Sequence, residues 1–349
     1  VKLTIGFIGF GKSTTRYHLP YVFIRDHLTV KTIFNRKRKP ELEKNYTEAA
    51  IQFTDELDEI LSDPDIQLVS ICTPPDTHYS YAKQCLEHGK HVLVEKPFCS
   101  LREEAEELLM LAKEKNLAIM PFQNRRFDGD FLAVKEVIEK GYLGEIVEIE
   151  SHFDYFRPEA DPAPGAYYNG AFYGLGVHTL DQIISLFGRP RYVAYDIRSV
   201  RRKENPDDTF EAQLFYENMK AIVKTSHLVK MDYPKFIVHG KKGSFIKYGI
   251  DQQEACLKAG IMPEVEGFGQ DLERAYGQAV YIDSNGEEQK KTIPTPQGDY
   301  GKVYDNLHAV ILGDEEKLVS DEELLTNMEI LERGFEKAGP HVVELEKQS

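Results

Sequence analysis

Short apolar runs rich in β-branched residues, at 3–7, 30–34, 68–72 and 91–94, alternate with segments of helical spacing along the first third of the chain. Unbroken apolar runs of this length suit strands covered on both faces, so the alternation predicts βαβ units and a parallel sheet. Helices are expected over 54–61, 77–88 and, most clearly, 102–115, with Gly89 placed to close the second of them in a left-handed conformation. After another apolar run at 118–122 the character changes. A helix over 130–140 leads into stretches at 146–153, 193–200, 211–216, 221–228, 236–239 and 244–248 that alternate apolar and polar. Such alternation marks strands with one face on a core and the other open to solvent or a partner. Helices at 304–312 and 321–337 complete the pattern. The fold class is α/β: a parallel-sheet domain over 1–122, then an α/β domain over 123–349 on an open, largely antiparallel sheet. The Pro- and Gly-bearing stretch 158–170 reads as an ordered loop or lid beside a site, and 264–270 as a surface loop.

Chemistry first enters after the first apolar run, as Gly9-Phe10-Gly11-Lys12-Ser13-Thr14. Gly9 and Gly11 permit a tight turn and close approach of backbone to a pyrophosphate, whose charge favours the positive end of the following helix. Thr14 stands where a third glycine or alanine is usual. A glycine turn after a strand is often purely structural; its place between first strand and helix, with a second strand following, is what favours a dinucleotide. At the end of that second strand, NAD-binding domains usually place a carboxylate for the ribose 2′-hydroxyl. Here the residues are Asn35, Arg36, Lys37 and Arg38. Guanidinium groups fork onto phosphate, so NADP is favoured over NAD, the alternative being a solvated basic turn.

Glu95-Lys96-Pro97 closes the run at 91–94, at the carboxyl end of an expected parallel strand, where ligands bind in open α/β sheets. Oxidation of an alcohol needs a base for the hydroxyl proton, and a lysine serves if burial and a nearby cation lower its pKa. Lys96 is the candidate. The competing reading is a surface lysine paired with Glu95. In the second half, the glycine-rich stretch 170–176 leads to His178 and Asp181, one helical turn apart. His178 is suited to bind or protonate a substrate oxygen and Asp181 to hold its ring or the helix start; a structural histidine is the alternative.

Composition narrows the partners. The 58 acidic against 43 basic side chains give a formal net charge of -15, which disfavours nucleic acid. The four cysteines show no Cys-x-x-Cys or zinc-like spacing, so the expectation is a reduced, cytoplasmic chain with no disulfide and no metal. No long uncharged apolar stretch points to a membrane.

Taken together, these residues resemble the Gfo/Idh/MocA oxidoreductases. The Gly-Phe-Gly loop, Cys72-Thr73-Pro74-Pro75 with His78, Gly89-Lys90-His91-Val92, Glu95-Lys96-Pro97, Asn124-Arg125-Arg126-Phe127 and Gly176-x-His178-x-x-Asp181 occur in family order. The resemblance implies a Rossmann domain binding NAD(P), a second α/β domain, and homodimers or homotetramers joined through its open sheet. It puts Lys96 in the catalytic-lysine position and His178 in the catalytic or substrate-orienting one. Asn124, Arg125, Thr73, Pro74, His78 and Glu95 join Gly9, Gly11, Lys12, Ser13, Thr14, Asn35, Arg36 and Arg38 as cofactor-side candidates. Tyr155, Arg157, Tyr173 and Asp181 join Lys96 and His178 on the substrate side. Arg125 and Arg126 have salt bridging as an alternative, and His78 is expected to cap or pack near the cofactor without a catalytic part.

Tyr155-Phe156-Arg157-Pro158 and the stretch 239–251 resemble a bacterial branch that includes NADP-dependent scyllo-inositol dehydrogenases. One departure matters: many family members carry Asp four residues before the histidine, where this chain has Gly174. Inositol specificity does not carry across that change. The expected reaction is hydride transfer between NADP and a secondary alcohol or ketone of a sugar or polyol. Reduction of another carbonyl or conjugated substrate and a non-catalytic NADP-binding sensor are the alternatives.

Overall fold

The computed structural model describes residues 2–160 and 165–345. They form two compact units. The first holds the described residues up to Asn124 together with Cys256–Phe268 and Asp299–Leu325; the second holds Arg125–Ala255, Gly269–Gly298 and the described residues from Thr326 onward. Two stretches beyond residue 122 thus belong with the N-terminal unit, an arrangement outside the simple division at 122/123.

In the first unit, β1 (Leu3–Ile8), β2 (Leu28–Phe34), β3 (Gln52–Thr54), β4 (Leu68–Ile71), β5 (His91–Val94) and β6 (Ile119–Pro121) form a parallel sheet in the order β3-β2-β1-β4-β5-β6. All of β4 and most of β1 and β5 are buried, as their apolar runs required. The order reverses direction between β1 and its neighbours β2 and β4, which creates the crevice where ligands bind in such sheets. The helix Arg102–Glu114 forms as expected, and His78–Glu87 ends before Gly89, whose φ is +74°. The expected helix over 54–61 is corrected: Gln52–Thr54 is an edge strand on β2, and only Asp58–Leu61 is helical. Three residues are too few to display strand alternation.

In the second unit, β7 (Ile146–His152), β8 (Tyr192–Arg198), β9 (Thr209–Phe215), β10 (Lys220–Ser226), β11 (Phe236–Gly240), β12 (Gly243–Lys247), β13 (Gly277–Ile282), β14 (Glu288–Ile293) and β15 (His341–Glu344) make one sheet. Its order is β14-β13-β12-β11-β7-β10-β9-β8-β15. Every pairing is antiparallel except β7 with β10. One face buries Ile149, Val193, Leu214, Val223 and Val238 against a core that includes Val134, Leu180 and Ile183 from the helices Gly129–Glu139 and Val177–Phe187. The sequence pattern missed β13, β14 and β15, and it ran the helix Asp321–Arg333 on to 337. Gly334 follows that helix; a side chain there would meet the Phe172 ring at 2.7 Å.

The expected loop 158–170 lies partly outside the described residues, at 161–164. Its later part packs on Asp207. The Phe172 amide donates to Asp207 Oδ2 at 2.7 Å, and a Cβ on Gly170 would fall 1.9 Å from Asp207 Oδ1, so only glycine fits there. Burial, with help from the neighbouring Asp208 charge, pushes the Asp207 carboxyl up to about 7 against the pull of backbone amides. The folded chain therefore holds this proton more tightly than the unfolded chain does. The resulting stabilisation is complete below the unfolded pKa of about 3.9 and is lost as pH rises through about 7. Asp207→Asn is expected to remove this part of the fall in melting temperature between those limits and to melt above wild type on the alkaline side. Thermal melts across the pH series check it; parallel wild-type and variant curves would refute it.

Candidate functional site

In the first unit the loops after β1, β2 and β4 converge. Gly9 has φ +103°, and a Cβ there would lie 2.7 Å from the Cys72 carbonyl oxygen, so the loops after β1 and β4 touch through a glycine no other residue replaces without strain. A groove of about 670 Å³ opens here, bounded by Gly9, Gly11, Asn35, Arg36, Thr73 and Pro74, all anticipated from sequence. Lys37 of the basic turn also lines it, and Lys39, Thr77 and Tyr81 line it without having been anticipated. A Cβ built on Gly11 meets nothing within 4 Å, which leaves the loop backbone open to a ligand. Asn35 Oδ1 accepts the Phe10 amide at 3.0 Å and ties the end of β2 to the glycine loop.

The basic turn resolves into unlike members. Arg38 donates from Nε and an Nη to Glu43 at 2.9 and 2.6 Å and is not part of the groove wall. Lys39 reaches the Phe10 carbonyl. Arg36 is exposed, with no ion pair to a described carboxylate, and no Asp or Glu stands at the end of β2. Lys12 is likewise exposed.

Several other candidates serve one another. Thr14 donates to the Gly9 carbonyl at 2.7 Å, so the hydroxyl that replaces a third glycine braces the loop. Ser13 donates to Glu95 Oε1, His18 Nε2 lies 3.1 Å from the same oxygen, and the Lys96 amide donates to Oε2 at 3.0 Å. Burial opposes ionisation of Glu95, but His18, Lys96 and Ser13 together outweigh it and hold the carboxyl at about 2. His18 Nδ1 is 2.7 Å from the Tyr304 hydroxyl, which is 3.0 Å from Ser70 Oγ, and the imidazole stacks on Phe122 at 4.0 Å. His78 sets its two ring nitrogens 2.8 Å from the Pro97 and Thr73 carbonyls, joining the loop after β4 to the one after β5; burial lowers its pKa. The Lys96–Pro97 peptide is cis, and Lys96 itself is half-buried. Asn124 is buried at the start of the turn Asn124–Phe127.

In the second unit, His178 is 4 % exposed in the first turn of Val177–Phe187. Arg126 donates to both oxygens of Asp181 at 2.8 Å, so this carboxylate fastens the His178 helix to the 124–127 turn, the salt-bridging alternative for Arg126. Gln182 Nε2 donates to the Arg125 carbonyl at 2.7 Å, a second fastening. The Arg125 side chain pairs with Asp128 at 3.2 Å and with Glu254, and lies 4.9 Å from the centre of the Phe153 ring. Tyr173 is fully buried, edge-on to Tyr167 at 5.4 Å. A Cβ at Gly174 would face open space. Tyr155 helps enclose a cavity of about 660 Å³ with His152, Asp154, Tyr233, Lys235 and Arg274, and the exposed Arg157 lies over its ring at 3.9 Å. His178, Tyr173 and Asp181 are not part of that wall.

Among the described residues no helix is long and apolar enough to cross a membrane. The chain has counterparts in known proteins. Residues 3–123 match the oxidoreductase family's NAD-binding Rossmann fold, and residues 135–345 its C-terminal alpha/beta domain. YhhX of Escherichia coli K12, an uncharacterised oxidoreductase, is 60 % identical over 99 % of both chains. IolW of Bacillus subtilis 168, a scyllo-inositol 2-dehydrogenase (NADP(+)), is 33 % identical, covering 96 % of this chain and 94 % of its own. The crystal structure of an oxidoreductase from Bacillus cereus superposes with a TM-score of 0.98 at 54 % identity over the whole of both chains. With both family domains matched in order across nearly its full length, the chain belongs to the Gfo/Idh/MocA family of NAD(P)-dependent oxidoreductases.

Proposed function

We propose that the chain transfers a hydride between NADP and a secondary alcohol or ketone of a sugar or polyol. The observation that carries the cofactor half is Arg36: an exposed guanidinium at the groove, with no carboxylate at the end of β2 to reject a 2′-phosphate. Gly9, Gly11, Thr73 and Pro74 would cradle the pyrophosphate, and Asn35 and Arg36 the adenosine ribose and its phosphate. When bound, the cofactor supplies the carbon that accepts or gives the hydride. Lys96 takes the proton of the reacting hydroxyl, or returns it in reduction, and His178 orients the substrate oxygen. Similarity to IolW supports a polyol substrate.

Gly174 favours a second reading. Gly174 itself brings no carboxylate to receive a substrate hydroxyl, and its Cβ position faces open space, which suits reduction of a carbonyl compound with fewer hydroxyls. A panel of inositols, aldoses and sugar acids with NADP+, set against ketones and conjugated carbonyls with NADPH, decides between them by nicotinamide absorbance. Reaction confined to the second group would replace the polyol reading.

A cytoplasmic homo-oligomer is proposed with this activity. On the sheet face away from the core, Ile222, Ile237 and Ile246 occupy one cross-strand row with Glu150, half-buried in the single chain. A second copy seated there would cover them. Ile237→Lys is expected to shift the mass measured by light scattering toward monomer; a wild-type monomer would end this reading.

With the substrate that the panel finds, Lys96→Met is expected to lower kcat by about 10²–10⁴-fold with cofactor affinity nearly unchanged. Equal loss of both would make Lys96 a binding residue. Arg36→Ala is expected to raise the Kd for NADP+ by about 10- to 100-fold, the worth of a charge-assisted phosphate contact, and to leave NAD+ nearly unaffected. Fluorescence titration checks it, and equal effects on both cofactors would refute a phosphate contact.

A further inference from the structure

The buried run of polar groups behind Lys96 has a direction. Glu95 is ionised, so its oxygens only accept, and His18 must present Nε2–H to Oε1 at 3.1 Å. If the ring carries that single proton, Nδ1 is the acceptor and the Tyr304 hydroxyl at 2.7 Å is its donor. That leaves the Tyr304 oxygen to accept from Ser70 at 3.0 Å. Each group donates to the next, and the series ends on the carboxylate beside the lysine.

We propose that Ser70, Tyr304 and His18 form a one-way hydrogen-bond array that fixes the Glu95 carboxylate as the counter-charge of Lys96, making His18 and Tyr304 positioning residues for that lysine. The proposal rests on Lys96 as the proton-handling group. An ionised carboxylate beside the amine strengthens its hold on the proton it receives.

The titratable groups facing Glu95 come from several elements. His18 follows the glycine loop, Lys96 follows β5, Tyr304 comes from the helix Lys302–Leu312, Cys72 follows β4 and His78 opens its helix. Burial raises the Cys72 thiol and the Tyr304 phenol and lowers His78, so all three are neutral where a lysine titrates. With a single proton on His18, Glu95 and Lys96 are the charged pair of this set. Ser13 supplies a further donor to the same carboxylate oxygen as His18.

The array is testable on the apoprotein without a substrate. Long-range proton–nitrogen NMR at mildly alkaline pH should show His18 as the Nε2–H tautomer with Nδ1 accepting; the Nδ1–H tautomer, or an imidazolium with protons on both nitrogens, would overturn the proposal. Carbon-13 dimethylation of lysines, with Lys96 assigned through Lys96→Arg, gives the lysine titration directly. In Glu95→Gln it should move to lower pH by about one unit or more, as loss of an adjacent opposite charge requires. Superposed curves would overturn the counter-charge assignment. If Glu95→Gln fails to fold, the wild-type tautomer decides. Neither readout depends on turnover, so inactive Lys96→Met and an intact array remain separable results: the first tests the lysine's role, the second its surroundings.

Discussion

The first unit is organised around one buried carboxylate. Removing an ionised carboxylate from water costs several kcal/mol, and such a group persists only where donors replace the lost hydration. Glu95 obtains them from Ser13 and His18, after the glycine loop, and from the amide of the lysine next in sequence. Tyr304 then brings a helix from far along the chain to the back of the same histidine. Loop, strand end and distant helix are thereby fixed by a shared electrostatic need, and the lysine inherits a defined backbone position. The Glu-Lys dipeptide is thus more than a surface ion pair.

The second unit uses charge in a similar way on a different scale. The Arg126 fork on Asp181 and the Arg125 pairs with Asp128 and Glu254 are largely buried, where loss of one partner leaves an uncompensated ion. The Arg126 pair fastens the turn 124–127 to the helix that bears His178, and the Arg125 pairs hold it to Asp128 and to Glu254 of Gln253–Lys258. In the His178–Asp181 stretch at least Asp181 also serves as a fastening, accepting from Arg126 at both oxygens.

Legibility followed the physics of each element. β1, β4 and β5 were visible because burial on both faces demands unbroken apolar runs, and the strands of the second sheet because one open face enforces alternation. β13 escaped because its inward Gly277 and Ala279 are small while its exposed Val280 and Ile282 are apolar, and β14 because Glu288, Gln289, Lys290, Lys291 and Thr292 are polar on both faces. Gly9 was legible through its backbone requirement. His18 and Tyr304 were not: they are 286 residues apart, and nothing in either local sequence signals a shared hydrogen bond. Likewise the basic turn gave no sign that Arg38 pairs with Glu43 while Arg36 has no described carboxylate partner, since that division depends on the course of the chain after residue 39.

The polar outermost strand has a further meaning. A sheet edge exposes unpaired amides and carbonyls and invites another chain to add a strand. At β14 the exposed Glu288, Lys290 and Lys291 would require any incoming strand to bring charge against charge in register, so lateral growth is discouraged at that end. At this edge the nine-stranded sheet therefore ends in charge rather than in a ready template for a further strand.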